Sequence, residues 1–131
     1  MSCFWDAILN KIRIEDFQKI FNHSGKPNPE TFAKMLIQKN VKTENVLWNS
    51  QIMKEKQLQE NYEHIQEFNA SSVNQGYDCS TCDPFLLIIC ELLTINIQHV
   101  YLGNTIEYTH KKNVFNNNYT IKLQSNKGHM W

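Results

Sequence analysis

Two residues near opposite ends of this 131-residue chain have the types needed for nucleophilic catalysis, Cys3 and His129. Cys3 opens CFWDAILNKI, where Phe4, Ile8 and Ile12 recur at helical spacing, so the thiol stands at the first residue of a predicted helix. At a helix start the positive end of the dipole favours thiolate over thiol. His129 begins a short apolar segment, HMW, with the character of a strand. A histidine held on a rigid strand can take the proton of such a thiol, which is the Cys-His logic of acyl transfer on many folds. The competing reading makes Cys3 a small core hydrophobe and His129 a strand-end residue with no chemical role.

A second candidate is Cys79-Ser80-Thr81-Cys82, because a C-x2-C knuckle is how many zinc sites begin. A structural zinc needs four ligands, usually as two such pairs, and the chain has no second pair. His99 and His110 stand eleven residues apart (99 to 110), which matches no finger spacing. The same motif ahead of a helix is also a redox arrangement, although a polar segment stands where a thioredoxin-like fold has a strand. In a third reading DCSTCD is a turn whose Asp and Ser side chains cap the following helix. No metal is therefore assigned, with Cys79 and Cys82 as the alternative ligands. Cys90, inside an apolar run, reads as packing. His23, His64 and His110 sit in polar contexts and are expected in solvent, and His99 either faces solvent or makes a satisfied hydrogen bond.

These residues must be positioned by two halves of different character. From Cys3 to about Phe68 the apolar residues keep a helical period, broken at the turn-forming cluster from Asn22 to Pro29 and at the polar stretch from Lys42 to Asn49. Asn28-Pro29 is a helix start, with Asn28 as N-cap and Pro29 at N1. An uncharged loop, Asn69 to Gly76, closes this half and is expected to be mobile. Asp83-Pro84 repeats the start signal before FLLIICELL, a segment apolar all round and hence a buried central helix. The period then changes to two. Ile95, Ile97, His99 and Tyr101 alternate, Gly103-Asn104 turns, and Thr105 to Tyr108 runs back as a hairpin. After a loop from Lys111 to Asn118, Tyr119 to Leu123 is a third strand, Gln124 to Gly128 a turn, and His129 to Trp131 a fourth strand. Helices followed by an antiparallel sheet make a single α+β domain over residues 1–131.

Composition sets outer bounds. Lys and Arg balance Asp and Glu at 13 each, so no global field draws the chain to nucleic acid or to acidic lipid. The longest apolar run, Phe85 to Cys90, is far short of the roughly 20 residues that span a bilayer. Asp6 interrupts the first apolar stretch, and Lys11 and Arg13 follow it, which does not fit a signal peptide. A cytoplasmic location and four free thiols are expected.

The two ends of the chain resemble the OTU-like cysteine proteases, a family that includes deubiquitinases of eukaryotes, viruses and intracellular bacteria. CFWDAI is similar to their nucleophile box, a Cys followed by an aromatic residue or Leu and then a helix with Ala and Ile inside. FLLIICELLTINIQHVY, YTIKLQ and GHMW resemble their apolar helix, Ile-x-Ile strand, following strand and final His with aromatic neighbours, in that order. The stretch from about Asn22 to Gly76 is unmatched. The resemblance implies a papain-like, OTU-like fold with helices packed on the sheet, Cys3 as nucleophile and His129 as base. It also implies ubiquitin or a ubiquitin-like protein as partner and no cofactor. Family members carry an Asp-Gly turn before the nucleophile, where this chain has Met1-Ser2, and a third polar group either before the Cys or two residues after the His. That latter position is Trp131, which leaves Asn126, the Trp131 carboxylate or no residue at all as the third member. High Asn, Lys and Ile usage suits an AT-rich genome, as in many large DNA viruses, parasites and endosymbionts, and a viral member would work in the host cytoplasm or the virion. A binding module of the same fold without turnover, and a small zinc- or thiol-dependent protein built on Cys79 and Cys82, are the alternative functions.

Overall fold

The computed structural model describes residues 3–115, 119–126 and 129–131. Helical periodicity becomes α1 (Cys3–Leu9), α2 (Ile14–Phe21), α3 (Pro29–Gln38) and α4 (Glu55–Gln66), and the apolar segment becomes α5 (Pro84–Leu93). Both helix starts that carry Pro at the first position are capped by the residue before it. Asn28 accepts the Thr31 N–H, and Asp83 accepts those of Phe85 and Leu86. Every residue of α5 from Pro84 to Cys90 is buried, as is Leu93, so this helix is the centre of the core.

The sheet differs from the antiparallel one expected. It has strands β1 (Val46–Trp48), β2 (Gln51–Ile52), β3 (Asn96–Tyr101), β4 (Asn104–His110), β5 (Thr120–Asn126) and β6 (His129–Met130), in the order β2-β1-β4-β3-β5-β6. β5 pairs with β3 in parallel, and the remaining pairs are antiparallel. The cause is topological. β5 starts at the end of the sheet where β4 stops and so runs against β4. It docks on the far side of β3, beyond the hairpin, and therefore runs with β3.

Three other expectations are corrected. Val46 to Trp48, read as part of a polar break, is a strand because it finds β4 as a partner, with Leu47 opposite Thr109. It turns into β2 through Asn49 and Ser50, both at positive φ, which is the geometry of a tight primed turn. The β3–β4 turn falls one residue earlier than expected, at Leu102 and Gly103, again both at positive φ. Ala70–Gln75, read as loop, is a 3₁₀ turn pinned by buried Ala70 and Val73.

The segment from Tyr77 to Asp83 is held by a buried polar hub. The Asp83 carboxylate accepts N–H groups from Ser80 (3.0 Å), Phe85 (2.9 Å) and Leu86 (3.3 Å) and the Tyr77 hydroxyl (2.9 Å). Its own N–H donates to the Tyr108 hydroxyl (3.0 Å), which donates in turn to the Thr81 carbonyl (3.1 Å). The Thr81 carbonyl also accepts the Trp48 indole N–H (3.0 Å). Asp83 thus joins α5 to the preceding loop through its carboxylate, and to strand β4 through its N–H on Tyr108. Asp83→Ala leaves these buried donors unpaired and is expected to cost about 3–5 kcal/mol, read as a lowered denaturant midpoint. A loss below about 1 kcal/mol would show that the hub does not hold the loop.

Candidate active site

The aromatic residues that follow Cys3 explain why it is ordered. Trp5 is wholly buried, its ring 5.0 Å from that of Phe85 on α5, and the Phe4 ring lies 4.5 Å from Tyr77. Phe68 closes the cluster at 4.9 Å from Phe85. Such edge-on and tilted contacts add to the area buried by each ring. They seat α1 against α5, the 77–83 loop and β6, which carries His129.

The Cys3 Sγ lies 3.6 Å from His129 Nδ1. The pair opens into a cleft of about 530 Å³ with Gln75, Gly76, Tyr101 and Asn126 among its walls. Asn126 on β5 stands directly opposite His129 on β6, and directly opposed side chains project to the same face. The Trp131 ring packs on the imidazole at 5.2 Å, with the planes 31° apart. The main chain that follows His129 is fixed by the Ser125–Met130 pair and by two 2.9 Å hydrogen bonds between Gln124 and Trp131. Met1 and Ser2, which precede the thiol, lie outside the described residues.

The other thiols are less available as nucleophiles. Burial pushes Cys79 well up, helped by the Asp83 charge. Burial and Asp83 push Cys82 up to about 11, against the Gln57 amide that donates to its sulfur (3.1 Å). Cys90, wholly buried in α5, is raised well above the ordinary thiol value by burial. Among the described residues no group of three His, Cys, Asp or Glu is arranged to hold a metal, so Cys79 and Cys82 gain no further ligand. DCSTCD takes the form of the capping turn, with Asp83 as its capping side chain.

The histidines divide differently from the expectation. His64 is exposed, and the half-buried His23 places Nδ1 3.1 Å from the Gly25 carbonyl. His110, expected in solvent, is buried, because it continues the inward alternation of Ile106 and Tyr108 on β4. Its Nδ1 accepts the Lys112 N–H (3.1 Å), so its Nε2 carries the proton and faces Glu91 at 3.8 Å. Glu91 in turn accepts the Asn45 N–H (2.9 Å) and side-chain amide (3.0 Å). His99 is buried and 2.6 Å from the Ser125 hydroxyl. Ser125, in the expected Gln124–Gly128 turn, belongs instead to β5, where Ile121, Leu123 and Ser125 keep a period of two.

No family model, no curated protein and no solved structure matches the chain. Among the described residues no helix is long and apolar enough to cross a membrane.

Burial lowers the pKa of both His99 and His110, with Glu91 opposing and Lys112 adding to the effect at His110. Once unfolded, both histidines protonate near the ordinary value of 6.5. Below that value, and down to the lower folded-state values, the unfolded chain holds more protons, so stability falls as pH falls. The melting temperature is expected to drop between about pH 7.5 and about 5.5, and His110→Gln to reduce the drop. A melting temperature that rises on acidification would contradict this.

Proposed function

We propose that this chain is a cysteine peptidase of OTU-like type that removes ubiquitin or a ubiquitin-like modifier from lysine side chains. The observation that carries the reading is the 3.6 Å approach of Cys3 Sγ to His129 Nδ1 at an open cleft. The assignment to a modifier rests on the resemblance of CFWDAI, FLLIICELLTINIQHVY and GHMW to that family.

The steps follow from the pair. Nδ1 takes the thiol proton as sulfur attacks the carbonyl carbon at the end of the modifier tail. The C–S bond forms, the isopeptide C–N bond breaks, and the lysine amine leaves with the proton from Nδ1. Water then adds to the thioester with His129 again as base, the C–S bond breaks, and the sulfur recovers its proton. Main-chain N–H groups at the start of α1 are the donors for the transient oxyanion in this reading. Asn126, paired with His129 across the strands, is the third member in this reading, accepting the Nε2–H and so keeping Nδ1 free to receive the proton. Trp131 covers one face of the ring.

Ubiquitin carrying a C-terminal electrophile is expected to label Cys3 alone among the four thiols. His129→Ala is expected to slow labelling at least about tenfold, and Asn126→Ala less. A protein that binds ubiquitin but never takes the label at Cys3 would be a binding module of this fold. Labelling at Cys79 or Cys82 would favour the thiol-dependent alternative.

A further inference from the structure

The inner face of β3 and β5 carries a serine–histidine contact that the Cys3–His129 chemistry does not use. Ile97 and His99 point toward the helices from β3, and Leu123 and Ser125 do so from β5. His99 pairs with Leu123 and Tyr101 with Ser125, so His99 and Ser125 are diagonal neighbours. Both are buried, and Nε2 and Oγ are 2.6 Å apart. His99 Nδ1 is also buried and has no hydrogen-bond partner among the described residues. Ser125 nevertheless forms part of the wall of the cleft that holds Cys3 and His129, while His99 is not among the cleft-lining residues.

A neutral imidazole carries one proton, and its position decides what Ser125 can do. On Nδ1 it would be a buried N–H with no acceptor, the rarer and costlier kind of orphan, and Nε2 would take up the serine proton. On Nε2 it is donated to Oγ, the unpartnered atom is only an acceptor, and the serine O–H is left to point into the cleft. Among the described residues no Lys or Arg lines the cleft, and Asp78 does. A neutral acceptor therefore suits this donor better than an anion.

We propose that Ser125 is a substrate-binding residue of this cleft: its hydroxyl, oriented by the His99 Nε2–H, donates to a backbone carbonyl oxygen of the acyl peptide that Cys3 attacks. His99 is a positioning residue, acting through Ser125. The proposal rests on the peptidase reading for its ligand, but the orientation of the donor does not.

Two measurements test it. In isotope-labelled protein at neutral pH, the ring nitrogens of His99 are expected to report the Nε2–H tautomer by NMR. The Nδ1–H tautomer would overturn the proposal, since the hydroxyl would then be turned back into the imidazole. In addition, Cys3 labelling by ubiquitin with a C-terminal electrophile is expected to slow about tenfold in Ser125→Ala. Ser125→Thr restores the hydroxyl, and His99→Gln keeps an amide donor near the Nε2 position. Both are expected to stay within about threefold of the natural protein. Alkylation of Cys3 by iodoacetamide, which needs no carbonyl contact, is expected to be unchanged in all of these variants. A Ser125→Ala protein that labels as fast as the natural one would overturn the proposal. If Cys3 of the natural protein takes iodoacetamide but never the ubiquitin probe, the modifier reading falls and the His99 tautomer alone decides whether the donor exists.

Discussion

The buried carboxylate of Asp83 is the constraint on which the rest of this structure depends. A charge taken out of water is tolerated only where donors replace its hydration, and four donors converge on this one. Burial still pushes its pKa up, and those donors oppose the shift. The consequence is geometric. The carboxylate starts α5 and fixes the loop that forms one wall of the cleft, while the Asp83 N–H reaches β4 through the Tyr108 hydroxyl. Tyr77 belongs both to this hub and to the aromatic cluster that seats α1, so the polar and apolar restraints meet at one side chain.

That arrangement lets the two ends of the chain make one site. Trp5 and Phe4 anchor α1 to residues far along the sequence, and β6 is held to β5 at Ser125–Met130. Neither Cys3 nor His129 depends on its sequence neighbours alone for its place. The β5–β6 pair supplies three of the polar groups around the cleft: Ser125 on the inner face, and Asn126 opposite His129.

What could be read from the sequence was what local chemistry decides. Asn28-Pro29 and Asp83-Pro84 announce their helices because capping needs only residues within one turn. The all-round apolar character of α5 announces its burial. What could not be read depends on pairing at a distance. Val46 to Trp48 is too short to be recognised as a strand until β4 lies beside it, and the parallel match of β5 with β3 is invisible to a pattern that reports only alternation. The period of two in Ile106, Tyr108 and His110 places that histidine inside, and the same period in Ile121, Leu123 and Ser125 carries β5 past the expected turn. Cys3 and His129 could be singled out by residue type and position. The place of Asn126 opposite His129 emerged only with the strand register.

The proposed peptidase requires that Cys3 owe its reactivity to His129. Its most direct test is the rate of Cys3 alkylation by iodoacetamide at neutral pH, mapped by mass spectrometry, in the natural protein and in His129→Ala. Cys3 is expected to react ahead of Cys79, Cys82 and Cys90, and about tenfold more slowly once the imidazole is removed. Equal rates in the two proteins, or Cys79 or Cys82 reacting first, would contradict the account.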